Sequence, residues 1–166
     1  MYRLTDEYSH FYIKYMEHGK SQGTGSWIKL SRESSWKSWS GYAFESICIK
    51  HIRQLKKALE IGAVYTEVSN WSHKPVKEDK GAQIDLIIDR QDMCINICEV
   101  KFSTGEFVID KKYFSELENK LTVFGAQSKT KKTLFLTMIS TYGVKNNEYK
   151  SRIVQNEVTM HSLFVH

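Results

Sequence analysis

Residues 82–90 read AQIDLIIDR and residues 93–102 read MCINICEVKF. Both runs are rich in isoleucine, and only Gln91 and Asp92 separate them, which is typical of a β-hairpin. A tight turn near Gln91 fixes the register, so Asp85 should lie opposite a residue within one or two positions of Glu99. The two runs therefore predict antiparallel neighbouring strands that each carry a carboxylate.

Helices and further strands are predicted on both sides of this hairpin. The predicted helices are residues 5–18, 41–60 and 107–124, and the predicted strands are residues 63–69, 133–140, 152–158 and 162–165. Residues 19–40 are rich in glycine and serine and predict a loop or short turns. Alternating helices and strands predict an α/β sandwich with a mixed central sheet. We place an N-terminal helix and connector at residues 1–40 and the main domain at residues 41–166.

Composition narrows the class of protein. The chain has 166 residues, 41% of them hydrophobic, and 24 basic against 19 acidic residues give a net charge of +5. This excludes a disordered or coiled-coil chain, and it permits a nucleic-acid partner without requiring one. Three cysteines cannot form a complete disulfide framework. With neither a signal peptide nor an 18-residue apolar stretch in the sequence, we expect a cytoplasmic location and no membrane partner.

Acidic residues interrupt the apolar faces of three predicted elements. Glu45 shares a helical stripe with Cys48, Ile49, Ile52, Leu55 and Leu59. Asp85 shares a strand face with Gln83, Ile87 and Asp89, leaving Ile84, Leu86 and Ile88 on the other face. Glu99 and Lys101 share a face with Ile95 and Ile97. Because an unpaired buried carboxylate is costly, each acidic residue needs a cation or strong donors.

The two hairpin carboxylates predict a metal site. Side chains that face each other on adjacent strands are about 5 Å apart. Carboxylates at that distance repel unless a proton or a metal ion lies between them, and hard oxygen ligands favour Mg²⁺ or Mn²⁺. Lys101, one pleat from Glu99, would orient a metal-bound water. These are the parts that phosphodiester hydrolysis requires.

The ordered set of Glu45 on a helix, Asp85 on a strand and Glu99-Val100-Lys101 on the next strand resembles the PD-(D/E)XK nuclease superfamily. More narrowly, GYAFESICIKHI, GAQIDLIIDR and ICEVKFS resemble the C-terminal nuclease-like domain of bacterial and archaeal AAA-type ATPases. The opening YRLTDEYSHFYIKYM is similar to the segment that joins their winged-helix module to that domain. The resemblance covers roughly residues 1–165. It departs from the superfamily at Ile84, where proline is usual.

The resemblance implies a restriction-endonuclease-like three-layer sandwich and a Mg²⁺-dependent (or Mn²⁺-dependent) nuclease. Asp85 and Glu99 would hold the metal, with the Val100 carbonyl as a third ligand. Lys101 would position the water as a catalytic residue, and Glu45 would support the site or a second metal. The implied partners are nucleic acid and an ATPase with its winged-helix module, of which this chain would be a fragment or companion.

Two alternatives accompany this interpretation. The first is a non-catalytic regulatory or interaction module of an ATPase, whose acidic cluster is vestigial. The second is a domain that binds nucleic acid without cleaving it. Phosphate contacts are predicted from the lysines that follow the site, foremost Lys111, Lys112 and Lys129, with Lys120, Lys131 and Lys132. The alternative for these lysines is a solvated helix face, since Glu116 and Glu118 lie among them.

Overall fold

The computed structural model describes residues 6–17, 26–74 and 81–164, apart from the side chains of Ser26 and Trp27. It divides into two compact units, Met1–Lys50 and His51–His166, and each is described by itself. Residues 19–25 of the predicted loop, residues 75–80 after the first predicted strand, and residues 165 and 166 lie outside the described residues. The predicted division at residue 40 stays a prediction.

The first unit is helical. Its elements are α1 (Glu7–Phe11), a π-helical segment (Tyr12–Met16), α2 (Ser26–Leu30) and α3 (Ser34–Lys50). The prediction of a loop over residues 19–40 is wrong from residue 26 onward, because α2 and the start of α3 lie there. Trp36 and Trp39 are three residues apart and therefore share one helix face, where their rings pack against Phe11 and Tyr15. Aromatic packing of this kind outweighs the weak helix propensity of the serines.

The predicted helix over residues 41–60 is two helices. The break is at His51, between α3 and α4 (Ile52–Ala58). Cys48 and Leu55 are buried as predicted, but Ile49 is 42% exposed, so the predicted apolar stripe is wrong at that position. Phe44, which the stripe left out, is buried instead.

The second unit contains a five-stranded mixed sheet. Its strands are β1 (Thr66–His73), β2 (Ala82–Arg90), β3 (Cys94–Lys101), β4 (Thr133–Ser140) and β5 (Asn156–Thr159). They lie in the order β1-β2-β3-β4-β5, with antiparallel pairing up to β3 and parallel pairing of β3 with β4 and of β4 with β5. Helices flank the sheet, which confirms the α/β class. No described helix is long and apolar enough to cross a membrane.

The central hairpin confirms the register that the sequence predicts. Leu86 pairs with Cys98 and Asp89 pairs with Ile95. One step beyond the first of these pairs, Asp85 and Glu99 would face each other, but the regular ladder ends before it reaches them. Met93, predicted as the first residue of the strand, lies in the turn with a left-handed φ of 63°.

Strand β2 is irregular at Asp85. On β1, Ser69 pairs with Ile87 and Trp71 pairs with Ile84, so three steps along β2 oppose two steps along β1. The prediction that Ile84, Leu86 and Ile88 share one face of the strand is therefore wrong. The Trp71 ring packs on Phe124, and Ile84 and Ile87 lie in the buried cluster that Trp71 packs against. An extra residue of this kind bends a strand and redirects its side chains.

Helix α5 (Lys111–Ser128) crosses from β3 to β4 and covers the core. It begins four residues later than predicted, because Phe107 instead forms a parallel bridge with Val144. The Asp110 side chain caps the helix by accepting a hydrogen bond from the backbone N–H of Tyr113 at 2.7 Å. This cap fixes which residues of α5 face the sheet.

The C-terminal region differs from the prediction. A strand was expected over residues 152–158, but its first residues end α6 (Glu148–Ile153), which Asn147 caps. Among the described residues after α6, β5 is the one strand, and a 3₁₀ turn (Met160–Leu163) follows it. The prediction of a strand over residues 162–165 is therefore wrong for residues 162–164, while residue 165 lies outside the described residues. The Asn147 side chain accepts a hydrogen bond from the N–H of Lys150 and so favours helix α6.

Candidate active site

The candidate site is centred on Glu99, near the end of β3. Its side chain is only 2% exposed. Oε1 accepts a hydrogen bond from the Tyr113 hydroxyl at 2.5 Å and lies 2.9 Å from Lys101 Nζ. Oε2 accepts a hydrogen bond from Lys120 Nζ at 2.6 Å. Both carboxylate oxygens therefore have charged or strongly donating partners.

Two elements bring these groups together. Strand alternation places Glu99 and Lys101 on the face of β3 that also carries Ile97, as the sequence predicts. Tyr113 and Lys120 are seven residues apart on α5, which is about two helical turns, so both face the sheet. The cap at the start of α5 and the apolar packing of the helix therefore set the geometry of the site.

Glu99 is ionised despite its burial. Burial alone would raise the pKa of Glu99, but Lys101, Lys120 and the Tyr113 hydroxyl outweigh it and lower that pKa below its ordinary 4.5. Burial, together with the charge of Glu99, raises the pKa of Tyr113 far above its ordinary value. Tyr113 therefore stays protonated, and its hydroxyl donates a hydrogen bond to the carboxylate.

Asp85 lies on β2, the strand next to the one that carries Glu99. It is half-buried, and its Oδ1 accepts a hydrogen bond from the Gln83 amide at 2.9 Å. Its charge adds to that of Glu99 in raising the pKa of Tyr113. The two carboxylates that the sequence singled out thus act on one side chain of α5, although they are not a regular ladder pair.

Lys101 and Val100 complete the predicted strand motif. The Lys101 side chain is 32% exposed, and its ammonium lies 5.3 Å from the centre of the Tyr113 ring. It therefore pairs with Glu99 while one side of it faces solvent. Val100 is buried and pairs with Ile139 of β4.

Glu45 lies in the other unit, on α3. It is half-buried, and its charge adds to the effect of burial in raising the pKa of the Cys48 thiol to about 12. Asp85, Glu99 and Lys101 all belong to the second unit. A contribution of Glu45 to the site stays a prediction.

A cavity of about 780 Å³ lies between the start of β2 and the first turns of α5. Three lysines line it, Lys111, Lys112 and Lys120, together with Gln83, Ser115 and Asn119. Lys120 thus contacts Glu99 and borders the cavity at once. The cavity is suited to an anion, because its lysines outnumber Glu116, the acidic residue among its lining side chains.

The predicted phosphate-contact lysines do not form one group. Lys111 and Lys112 are exposed in the first turn of α5, whereas Lys129 follows its last turn. At 1.5 Å per residue, the helix separates Lys111 from Lys129 by about 27 Å. Lys132 is paired with Asp89. Only Lys111, Lys112 and Lys120 belong to the cavity.

The sequence predicts Lys120 only as a phosphate contact, and it does not identify Tyr113 as a residue of the site. The signal for both is their spacing of seven residues on a helix whose buried residues include Phe114 and Leu117. Such spacing aligns two polar side chains with the edge of an apolar face. The spacing alone does not show which strand residue Tyr113 and Lys120 contact.

The donor set at Glu99 is compatible with a divalent cation. In the described ranges, no group of three or more His, Cys, Asp or Glu side chains could hold a metal. Mg²⁺ requires fewer protein ligands, since proteins often bind it through one or two carboxylates, with water and substrate phosphates completing its coordination shell. Asp85 and the ionised Glu99 offer such oxygens. Lys101 and Lys120 hold those of Glu99, so a cation would have to exchange with an ammonium group.

Comparison with known proteins gives a family without an activity. Residues 8–124 match DUF234, a family described as archaeal and bacterial proteins of unknown function. The chain belongs to this family. The matched region covers more than half of the chain and includes Asp85, Glu99, Lys101, Tyr113 and Lys120. No curated protein and no solved structure matches the chain.

Proposed function

We propose that this chain is a Mg²⁺-dependent or Mn²⁺-dependent nuclease domain that hydrolyses phosphodiester bonds in nucleic acid. One observation carries the proposal: a buried, ionised carboxylate, Glu99, lies beside Lys101 on the strand next to the one that carries Asp85. The order of Asp85, Glu99 and Lys101 on two adjacent strands supports a restriction-endonuclease-like fold of the PD-(D/E)XK type.

Each residue around Glu99 would have its own role in the hydrolysis. Asp85, Glu99 and the Val100 carbonyl would hold the metal, which supplies Lewis acidity and lowers the pKa of a bound water. Tyr113 fixes the orientation of Glu99 by donating a hydrogen bond from its hydroxyl to Oε1. Lys101 keeps a positive charge beside Glu99, where it orients the attacking water and offsets charge on the phosphate.

Substrate binding is assigned to the lysines of the cavity. Lys111 and Lys112 would contact phosphate oxygens next to the cleaved bond. Lys129 would contact only a nucleic acid long enough to extend along α5. A role for Glu45, which lies on α3 of the first unit, stays a prediction. None of these contacts reads base edges, so we expect little sequence specificity.

An AAA-type ATPase with a winged-helix module is the proposed protein partner. The resemblance of the N-terminal segment to the one that joins the two parts in such ATPases supports it. Tyr8, Ile13 and Met16 in and after α1 are about half exposed or more, which provides an apolar surface in the first unit. We expect this surface to contact the ATPase module.

Cleavage assays test the proposal. The full chain is incubated with plasmid and with single-stranded DNA, with Mg²⁺ or Mn²⁺ and with EDTA. Asp85→Ala and Lys101→Ala should each lower the cleavage rate about 100-fold or more. The matched control is Glu118→Gln, which changes an exposed carboxylate of α5 and should keep wild-type activity. Cleavage that is equal in all four proteins would come from a contaminant and would refute the mechanism.

A non-catalytic module of an ATPase is the second candidate. The observation that favours it is that Lys101, Lys120 and Tyr113 satisfy Glu99 without any ligand. Direct Mn²⁺ titration separates the two candidates. A nuclease should bind Mn²⁺ in a way that Asp85→Ala abolishes, whereas a vestigial site should bind none.

A domain that binds nucleic acid without cutting it is the third candidate, supported by the cavity lysines and the net charge. Phosphate contacts release counterions, so the affinity should fall steeply as salt increases. A flat salt dependence would exclude this candidate.

A further inference from the structure

Lys120 differs from every other lysine of the cavity. Its ammonium lies 2.6 Å from Glu99 Oε2, yet the same side chain lines the cavity and is 20% exposed. Lys112, on the same cavity wall, is 88% exposed and only 4.0 Å from Glu116. A single flexible cation therefore stands between a buried carboxylate and an anion-binding space.

A metal ion and a phosphate group would each compete for one partner of the ion pair between Lys120 and Glu99. A metal ion needs Glu99 Oε2, which Lys120 occupies. A phosphate group in the cavity needs cations, and Lys120 is one of the three lysines that line it. The long side chain of lysine has four rotatable bonds, so its ammonium can change partner without movement of α5.

We propose that Lys120 is a positioning residue that exchanges Glu99 for a substrate phosphate and thereby couples nucleic-acid binding to metal binding. The inference rests on the proposed function, because it requires that the cavity takes the sugar–phosphate backbone and that Glu99 takes the metal. Without nucleic acid, Lys120 occupies Glu99 and keeps metal affinity low. With a phosphate in the cavity, Lys120 leaves and Glu99 Oε2 becomes available.

Glu99 keeps its remaining partners during this exchange. Oε1 stays bound to the Tyr113 hydroxyl and close to Lys101. The carboxylate therefore stays oriented when Lys120 leaves, which is what a metal ligand requires. By reciprocity, bound metal should also favour the phosphate-bound position of Lys120, so metal and nucleic acid should raise each other's affinity.

The test measures binding without turnover. Mn²⁺ affinity is measured by electron paramagnetic resonance of the free ion, and the affinity for a fluorescent DNA oligonucleotide is measured by anisotropy in EDTA. Lys120→Gln should raise Mn²⁺ affinity about fivefold or more and weaken oligonucleotide binding by a similar factor. A purely structural role for Lys120 predicts the opposite for Mn²⁺, because a disturbed Glu99 would bind it less well.

Two matched variants serve as controls. Lys112→Gln removes a charge from the same cavity without touching Glu99, so it should weaken oligonucleotide binding and leave Mn²⁺ affinity unchanged. Lys120→Arg keeps the cation and should keep the low Mn²⁺ affinity of the wild type. Unchanged or lower Mn²⁺ affinity in Lys120→Gln would overturn the exchange.

The wild type provides a second measurement that needs no variant. In carbon-detected NMR without metal, addition of the oligonucleotide should change the chemical shifts of the Lys120 side chain and of the Glu99 carboxyl carbon together. Shifts confined to Lys111 and Lys112 would overturn the exchange. A protein that shows the exchange but never cleaves DNA would refute the nuclease and leave the coupling intact, so the two failures are distinguishable.

Discussion

Strand β3 buries two polar side chains, Asn96 and Glu99, at 1% and 2% exposure, and the structure treats them differently. They are three positions apart along the strand, so they lie on opposite faces of the sheet. The Asn96 amide donates to Thr137 Oγ1 at 2.9 Å and to Asn156 Oδ1 at 3.2 Å. These two partners are neutral and lie on β4 and β5, while the Arg90 guanidinium of β2 donates to Asn96 Oδ1 at 3.4 Å.

Glu99 has charged partners that water can reach. Lys101 and Lys120 are 32% and 20% exposed, and Lys120 borders a cavity. The Asn96 network is centred on a neutral side chain, and it satisfies polar groups and joins β2, β3, β4 and β5. The Glu99 cluster holds a charge that its partners can release to a ligand. A buried polar group is therefore a better functional candidate when it is charged and its partners reach solvent.

The largest expected effect comes from removing both cations of Glu99. Lys101→Met with Lys120→Met leaves a buried carboxylate with Tyr113 as its remaining described donor, and should cost about 3 kcal/mol or more of unfolding free energy at pH 7. Urea denaturation measures it. The loss should shrink as pH falls, because the stranded carboxylate can take up a proton. An equal loss at pH 4 and pH 8 would contradict an electrostatic role for the lysines.

Replacement of Asn96 should have an effect that does not depend on pH, because the Asn96 amide carries no charge. Asn96→Leu leaves Thr137 and Asn156 without their partner and should cost about 1–3 kcal/mol of unfolding free energy. The same urea series from pH 4 to pH 8 should give a constant difference from wild type. A difference that varies with pH would mean that a titrating group takes part in the network.

Acid should weaken the wild type through Glu99. Folding lowers the pKa of Glu99 below its ordinary 4.5, so the unfolded chain takes up this proton first as pH falls. The contribution of Glu99 is therefore complete above about pH 4.5 and is lost as pH falls through the pKa of the folded state. Glu99→Gln should flatten the stability curve in that range. A parallel curve for this variant would assign the acid sensitivity to other carboxylates.

The smallest effect is expected at the exposed end of the cavity. Lys112 and Glu116 form a solvated pair, so Lys112→Gln should change the unfolding free energy by less than about 0.5 kcal/mol. The melting temperature and oligonucleotide affinity are measured on the same sample. A large loss of stability would show that the cavity wall is structural.

The sequence by itself determined the hairpin, its register, the extent of β2 and β4, and the shared face of Glu99 and Lys101. These features depend on the two-residue period of a strand and on a short turn, both of which are local. It also pointed to Asp85 as an acidic residue in an apolar strand. The sequence misjudged the start of α3, where packing of Trp36 and Trp39 on residues from α1 and its π-helical extension decides the structure.

Only the tertiary structure decided what surrounds Glu99. Tyr113 and Lys120 follow it by 14 and 21 residues, and the capped start and the packing of α5 bring them to its two oxygens. The irregularity that redirects Asp85 likewise depends on pairing between β1 and β2. The physical reason is that a strand pattern fixes the face on which a side chain lies, whereas the partners on that face are set by how a distant helix docks.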